Sequence, residues 1–335
     1  MNKIVVINLG FIGDVINSSP VTISLKKQYP QAKLTYITIP ASSGTANHLP
    51  GVDNVFVYDK KGKHKGLVNL LKIAFSYGEK PDLAIILNES LRSALLSFLI
   101  GAKQRIGRNS DSRGLLLTDK FPHLEEEIKM QIHVSEHYMR VLKPLGLYNS
   151  EYDFGFNYSD EDELFISKTL NELNTDNQKL IGICPCARHA DKHWNEDETK
   201  KLIQYINKYT EYKAVIVGDK VGRNFAQKIR ESGETDFIDF TTKTSIPQLA
   251  ALISKFKMFI TADTGPSHLS YVLKIPTVTL FYYPVMVKWG PKNANDNRTI
   301  YNENWKLITV EQVIEQMEDL AEHHKIPLKT KNPTL

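Results

Sequence analysis

The chain alternates short apolar runs of strand type with amphipathic runs of helix type over most of its 335 residues. The first run, Lys3 to Asn8, is rich in β-branched residues and leads through a glycine-containing turn into a helical pattern from Asp14 to about Tyr29. The first half continues with predicted strands at 34–39, 55–58, 83–87 and near 105, and with predicted helices at 66–77, 90–100 and 133–146. Strands that alternate with helices indicate a parallel α/β sheet.

A polar, turn-forming stretch at 148–178, with one helical pattern inside it, predicts the connection between two domains. Alternation then restarts, so we expect domains at 1–160 and 175–309, followed by a C-terminal helix and basic tail at 310–335. The second half has predicted strands at 180–184, 213–218, 236–240, 258–262 and 277–281, and helices at 196–209, 221–232, 246–254, 265–273 and 310–324.

Cysteine content and hydropathy narrow the class of protein. Cys184 and Cys186 are the only cysteines, which excludes a disulfide framework and suggests a reducing compartment. No apolar run approaches the roughly 20 residues that span a bilayer, and the first residues do not resemble a signal peptide. We therefore expect a cytoplasmic protein.

Charge is unevenly distributed along the chain. The net charge is +4, but residues 1–150 hold 19 basic against 12 acidic side chains, whereas residues 151–335 hold 23 against 26. A basic first half favours an anionic partner there, with a chance asymmetry of the solvated surface as the alternative. The segment Lys60–Lys65 contains four lysines and one histidine, and is either a solvated face or a clamp for phosphates or carboxylates.

Ligands of open α/β sheets bind beyond the carboxyl ends of the strands, which directs attention to three loops. The first, Gly10–Asp14, places Asp14 at a helix start, where it could be a ligand group or only a helix cap. The loop lacks both the dinucleotide G-x-G-x-x-G pattern and the phosphate-binding P-loop pattern. NAD-dependent enzymes and P-loop NTPases are therefore disfavoured.

The other two loops lie in the second half. Pro185–Trp194 concentrates cations, including Arg188 and Lys192, that could neutralise an anion, while its Cys-Pro-Cys spacing is poor for zinc, so no metal site is predicted. Asp263–His268 combines hydroxyls with the free N–H groups of a predicted helix start, which suits a phosphate.

Three segments together resemble the lipopolysaccharide heptosyltransferases, the ADP-heptose-dependent glycosyltransferases of family 9. Gly13-Asp14-Val is similar to the family's amino-terminal motif, Asp191-Lys-His-Trp194 to its D-K-H-W segment, and Asp263-Thr-Gly-Pro-Ser-His268 to its D-[TS]-G-x-x-H signature. The order and spacing of the three match over nearly the whole chain. The resemblance implies two Rossmann-like domains facing a central cleft, the GT-B architecture, and an inverting sugar transfer that needs no metal and no cofactor besides the nucleotide sugar.

The resemblance also implies roles for individual residues. Asp14 would be the general base on the acceptor hydroxyl, and Lys192 would stabilise the departing diphosphate. Donor binding would fall to the second domain, through Asp263, Thr264, Gly265 and His268, with Arg188 where the family often has a smaller residue. Acceptor binding would fall to the basic first domain, through Lys60, Lys61, Lys63 and Arg92.

The expected partners are a nucleotide sugar and a Kdo-lipid A or lipooligosaccharide core acceptor, with peripheral contact at the inner face of the inner membrane and no nucleic acid. Three alternatives stay open: a protein O-heptosyltransferase, a family-9 transferase for another nucleotide sugar, and an inactive sugar-nucleotide-binding module.

Overall fold

The computed structural model describes residues 1–122, 132–173, 175, 179–187, 193–233, 235–282, 286–293, 295–304 and 307–328. The chain divides into two compact units, Met1–Asn157 and Tyr158–Leu335. Each unit is built on a parallel sheet of six strands in its described part. In that part of the chain no helix is long and apolar enough to cross a membrane.

The sheet of the first unit has the strand order β3-β2-β1-β4-β5-β6. Its centre is formed by β1 and β4, which pair in register with Val5 opposite Ala84. Both strands are continuous apolar runs because helices cover both faces of the sheet. The strand order reverses between β1 and β4, which is where open α/β sheets bind ligands. The strands are β1 (Lys3–Ile7), β2 (Lys33–Thr38), β3 (Asn54–Val57), β4 (Leu83–Ile86), β5 (Gln104–Arg108) and β6 (Asp119–Phe121).

The helices of the first unit follow the predicted pattern with one correction. The helix predicted from Asp14 to about Tyr29 is two helices that meet at Ser18. Pro20, in the first turn of the second helix, has no N–H to continue the helix ahead of it, and the Ser18 hydroxyl donates to the Val15 carbonyl at 2.7 Å. The helices are α1 (Ile12–Asn17), α2 (Ser19–Gln28), α3 (Pro40–Ala46), α4 (Leu67–Ser76), α5 (Leu91–Leu99) and α6 (Val134–Met139), with 3-10 turns at Asp111–Leu116 and Arg140–Leu145.

The second unit repeats this winding, with the order β12-β11-β10-β7-β8-β9 and β7 beside β10 at the centre. The strands are β7 (Lys179–Cys184), β8 (Tyr212–Ile216), β9 (Ile238–Asp239), β10 (Phe256–Ala262), β11 (Thr277–Phe281) and β12 (Asn297–Tyr301). The helices are α7 (Asp160–Glu172), α8 (Glu196–Tyr209), α9 (Lys220–Glu231), α10 (Ile246–Ile253), α11 (Gly265–Val272), α12 (Met286–Trp289) and α13 (Val310–His323).

Two helices at the ends of the second unit belong to its packed body. Helix α7, inside the stretch that we interpreted as a connection, is tied to the end of α10 by the Tyr158 hydroxyl, 3.1 Å from that of Ser254, and by an ion pair of Lys255 with Glu163 at 3.3 Å. Helix α13 buries Val313, Met317 and Leu320 in the core. Edge strands β6 and β12 and the short helix α3 were not predicted, because their apolar patterns are brief.

Candidate active site

The turn between β1 and α1 is braced from its buried side by an asparagine. Asn8 is fully buried, and its Oδ1 accepts from the Gly10 N–H at 3.1 Å and from Nδ2 of Asn88 at 3.2 Å. Its own Nδ2 donates to the main-chain carbonyl of Asp14 at 3.2 Å. Asn88 also accepts from the Leu9 N–H, so the ends of β1 and β4 hold the turn jointly.

The Asp14 carboxylate is oriented by two donors. Its Oδ2 accepts from the Phe11 N–H and its Oδ1 from the Tyr138 hydroxyl, both at 2.9 Å. Asp14 is the third residue of α1, and its Oδ2 accepts from the main chain of Phe11, the residue before the helix. That bond is a helix cap. The other oxygen, Oδ1, has a different partner, so a cap accounts for only half of the carboxylate. Burial, and then the charge of Asp14, raise the pKa of Tyr138 well above its usual value, which keeps the phenol protonated and donating.

Gly10 leaves room for this carboxylate. A Cβ at position 10 would lie 2.5 Å from Cβ and 2.7 Å from Oδ2 of Asp14, closer than nonbonded atoms approach. Since the φ of Gly10 is not among the positive values, the glycine is required here by space and not by a left-handed backbone.

One of the four predicted acceptor residues, Lys60, points back toward this turn, and a second, Arg92, lies near Lys60. Nζ of Lys60 lies 3.5 Å from the Leu9 carbonyl oxygen, and Arg92 donates to the Tyr58 hydroxyl at 3.2 Å. Desolvation, and then the charges of Lys61 and Arg92, lower the pKa of Lys60. Lys60 therefore stands beside the loop that carries Asp14, and Arg92 lies close enough to Lys60 for their charges to interact.

The other two predicted acceptor residues, Lys61 and Lys63, are exposed. They lie on a turn that the Asp59 carboxylate organises by accepting from the N–H groups of Gly62 and Lys63, both at 2.9 Å. These hydrogen bonds lower the pKa of Asp59. The basic segment thus has one inward lysine and an outward, solvated part.

The analogous turn of the second unit lies between β10 and α11. The Asp263 N–H donates to the Leu280 carbonyl at 3.2 Å, and Ser267 Oγ donates to the Thr264 carbonyl at 2.6 Å. Thr264 precedes the helix, and Pro266 in the first turn has no N–H that would need a partner. The Ser267 N–H donates to the Thr264 carbonyl at 3.1 Å. Helix starts of this kind bind phosphate through N–H groups that the helix leaves without partners.

His268 is buried on the first turns of α11. Its ring packs edge-on against Tyr271 and Trp289, with centroid distances of 5.9 and 6.3 Å. The Thr264 hydroxyl is buried and faces the Cys184 thiol. Asp263, Thr264, Gly265 and His268 are therefore brought together by one strand end and one helix start.

Lys192 and Arg188, predicted on the loop after β7, lie outside the described residues. The ends of that loop are held together, because the Trp194 N–H donates to the Pro185 carbonyl at 2.8 Å and His193 Nε2 lies 2.8 Å from the Ala187 carbonyl. Cys184 and Cys186 are both buried free thiols. Burial raises the pKa of Cys184 to about 11.

Two buried groups near the first turn were not among the predicted site residues. Tyr138 is 4 % exposed and orients Asp14, and Arg113 is 3 % exposed and donates to the Asn88 carbonyl at 3.1 Å. The sequence shows each of these residues only as a polar group. A buried polar group needs a hydrogen-bond partner, but the sequence does not indicate which residue that partner is.

Each unit therefore presents a different chemistry at the carboxyl edge of its sheet. The first offers an oriented carboxylate with cations beside it, which can accept a proton from a bound hydroxyl. The second offers a helix start with hydroxyls, which can hold a diphosphate.

The chain is similar to known glycosyltransferases. Residues 76–317 match the family model "Glycosyltransferase family 9 (heptosyltransferase)". The lipopolysaccharide core heptosyltransferase OpsX of Haemophilus influenzae is 24% identical over 306 residues, which are 89% of this chain and 84% of the relative.

Two solved structures give the fold. A family 9 glycosyl transferase of Veillonella parvula has a TM-score of 0.85 at 24% identity, covering 95% of this chain and 97% of its own. The ADP-heptose lipopolysaccharide heptosyltransferase II of Escherichia coli has a TM-score of 0.79 at 21% identity, and the match covers 96% of this chain and 99% of the E. coli chain. The prediction of two Rossmann-like α/β domains of the GT-B type is confirmed. Because the family model matches most of this chain, the chain belongs to glycosyltransferase family 9, the heptosyltransferases.

Proposed function

We propose that this glycosyltransferase moves heptose from ADP-heptose to a Kdo or heptose residue of the lipopolysaccharide or lipooligosaccharide inner core. The observation that carries the proposal is the Asp14 carboxylate, held by the Phe11 N–H and the Tyr138 hydroxyl at the carboxyl edge of a parallel sheet. A cap alone needs only the first of these bonds. The second brings a buried phenol from 124 residues away to fix the direction in which the carboxylate points.

Asp14 is the general base of the proposed reaction. As the acceptor hydroxyl oxygen forms its bond to the anomeric carbon, its proton passes to Asp14, and the bond from that carbon to the diphosphate breaks with both electrons leaving on ADP. Attack opposite the leaving group inverts the anomeric centre. The two hydrogen bonds hold the carboxylate in one orientation, so it is positioned to accept the proton.

The diphosphate is bound by the second unit in this proposal. The start of α11 holds the diphosphate, together with the side chains of Thr264 and His268, and Asp263 positions the sugar. Lys192 neutralises the charge that grows on the departing ADP, with Arg188 as a second cation. These cations take the place of a divalent metal, so transfer is expected to proceed in EDTA.

The acceptor is bound by the first unit. Lys60 stands beside the Asp14 turn with Arg92 near it, and both suit the carboxylates of Kdo or a core phosphate. Lys61 and Lys63 act from the exposed side of the loop. Such an acceptor is anchored by lipid A, so the enzyme works from the cytoplasm as a peripheral protein at the inner face of the inner membrane.

The test is incubation of the purified protein with ADP-heptose and defined Kdo-lipid A acceptors, with products identified by mass. We expect a heptose added in EDTA as in magnesium, and no transfer from other nucleotide sugars. Asp14→Asn, which keeps the shape of the side chain, should lower turnover by about 10²–10⁴-fold without weakening ADP binding. Asp197→Asn, at an exposed aspartate of α8, is the matched control.

The outcomes separate the parts of the proposal. Wild-type turnover in Asp14→Asn would refute the role of Asp14 as the base. Activity that is lost in EDTA and restored by magnesium would refute the metal-free mechanism, and normal kinetics in Lys192→Ala would refute the role of Lys192 at the leaving group. Transfer to a protein serine and not to Kdo-lipid A would refute the proposed acceptor.

A further inference from the structure

Helix α4 carries apolar side chains on both of its faces. Its inner face, with Leu70 and Ile73, is buried in the core of the first unit. The outer face is also apolar, where a helix of a soluble protein is normally polar. Its four large side chains are Leu67, Val68, Leu71 and Phe75, which are 63%, 65%, 38% and 85% exposed.

These four side chains form one stripe. At 100° per residue, positions 67, 71, 75 and 68 fall within an arc of about 100° along α4. Phe75, which is 85% exposed, lies at the last turn of the helix, and Leu67 lies at the first. A contiguous apolar stripe of this kind marks a surface that meets a membrane or a partner.

The charge around the stripe indicates what it meets. From Lys60 to Gly78 the sequence has five lysines and no aspartate or glutamate. Four of the five, Lys61, Lys63, Lys65 and Lys72, are exposed. Lysines beside an apolar helix face match a bilayer surface that carries anionic phospholipid. A symmetric contact with a second copy of the chain would instead bring the same lysines against one another.

We infer that α4 docks this protein on anionic membrane surfaces. Its outer face lies in the boundary between headgroups and acyl chains, and the flanking lysines lie among the lipid phosphates. The helix is parallel to the membrane plane, since its 10 residues are far too few to span a bilayer.

Docking through α4 has a consequence for the first unit. The loop that leads into α4 contains Lys60, whose ammonium lies 3.5 Å from the Leu9 carbonyl in the turn that carries Asp14. An α4 seated on the bilayer therefore sets the Asp14 edge of the sheet close to the membrane surface. This deepens the proposed contact with the membrane, but vesicle binding itself does not depend on sugar transfer.

The experiment measures binding of the full chain to sucrose-loaded vesicles by sedimentation. Vesicles contain phosphatidylglycerol and phosphatidylcholine in equal amounts, or phosphatidylcholine alone. We expect binding to the first that weakens as salt rises, and little binding to the second. Leu71→Ser with Phe75→Ser should lower the partition coefficient about tenfold or more, since it removes two inserted side chains, and Lys72→Glu should lower it several-fold.

The matched control is Leu164→Ser with Phe165→Ser on α7. These two residues are 69% and 42% exposed, and they lie beside the acidic first turn of the helix. It should bind vesicles as the wild type does. Thermal melts establish that both double variants are folded. Turnover on a soluble, delipidated acceptor should be unchanged in the α4 variant, because none of its residues contacts the Asp14 turn.

Three results would overturn the inference: no binding of wild type to anionic vesicles, unchanged binding in the folded α4 variant, or equal loss in the α7 control. A dimer in sedimentation velocity that dissociates only in the α4 variant, with vesicle binding intact, would assign the stripe to a second copy instead. A protein that binds vesicles through α4 but transfers no heptose would sustain this inference and refute the proposed function.

Discussion

The hydroxyl of Tyr138 lies 2.9 Å from Oδ1 of Asp14 and joins residues that are 124 positions apart in the chain. The tyrosine is buried on α6, and the aspartate is half-buried in the first turns of α1. Because the pKa of Tyr138 is raised well above its usual value by burial and then by the charge of Asp14, the phenol stays protonated and donating at neutral pH. The bond therefore positions the carboxylate without competing for its proton.

Tyr138→Phe tests this positioning role. Removing the hydroxyl takes one donor from the carboxylate, which should lower kcat about tenfold, the effect of one net hydrogen bond. The KM values for donor and acceptor should change little, because the hydroxyl acts on the carboxylate and not on a substrate. Both are measured by steady-state kinetics with donor and acceptor varied in turn.

The control for that variant is Tyr152→Phe, which removes a hydroxyl 2.9 Å from Ser135 Oγ in the same unit but not bonded to Asp14. It should leave kcat unchanged. If Tyr152→Phe lowers kcat as much as Tyr138→Phe does, the Tyr138 hydroxyl has only a structural role.

Gly10→Ala should displace the Asp14 carboxylate. The added methyl would lie 2.5–2.7 Å from the Cβ, Cγ and Oδ2 atoms of Asp14, so the side chain must turn away from the Phe11 N–H. We expect a loss of turnover of about 10²-fold or more with donor affinity retained, since small misplacements of a catalytic group are costly. Single-turnover rates and ADP titrations distinguish the two effects.

Gly44→Ala is the counterpart on α3, where a Cβ would meet nothing within 4 Å. It should be active and more stable by about 0.5–1 kcal/mol, because alanine is the better helix former. Equal activity in the two alanine variants would show that the carboxylate does not need its observed position.

Much of the fold was readable because its central strands are buried on both faces. Runs such as Ile4–Ile7 and Met258–Ala262 are almost purely apolar and stand out from the polar turns around them. Edge strands lack that signal: β12 is partly exposed and mixes polar with apolar residues, and β6 has only three residues. The split at Ser18 was missed because the apolar spacing continues through it, although Pro20 was visible.

The site could be predicted from the sequence only where its functional residues are neighbours in the chain. Asp14 and the turn at 263–268 could be found because glycine, acid and hydroxyl stand next to one another in the sequence. Tyr138 could not, since its partner is set by how α6 packs beside α1. From the sequence alone, the lysines of the segment Lys60–Lys65 could not be told apart. In the structure, the turn organised by Asp59 directs Lys60 inward and leaves Lys61 and Lys63 exposed.

The stability of the second unit should fall at alkaline pH through Cys184. Burial raises the pKa of this thiol from 9.0 to about 11, so below pH 9 the folded and unfolded chains both hold the proton. Between pH 9 and about 11 the unfolded chain loses the proton while the folded chain keeps it. Stability must then fall with rising pH, by at most about 1.4 kcal/mol per unit for one group.

The contribution of Cys184 is obtained by subtraction, since buried tyrosines titrate in the same range. Urea unfolding of wild type and Cys184→Ala at pH 8, 9 and 10 should give a difference in free energy that shrinks as pH rises. The native thiols should also resist a disulfide reagent at pH 8 until urea is added. A pH-independent difference, or fast labelling of the folded protein, would contradict the buried neutral thiol.

Trp194 should be a principal anchor of α13. Its indole Nε1 donates to the Ile308 carbonyl at 2.8 Å in the buried core, two residues before the helix begins. Trp194→Phe leaves that carbonyl without its donor and should lower the free energy of unfolding by about 1–3 kcal/mol. Tyr301→Phe, at a side chain 37% exposed on β12, should change it by less than about 0.5 kcal/mol. The main-chain N–H of residue 194, which donates to the Pro185 carbonyl, is kept in Trp194→Phe, so ADP binding should change little. A loss of ADP affinity in the folded variant would mean that the indole also holds the loop after β7.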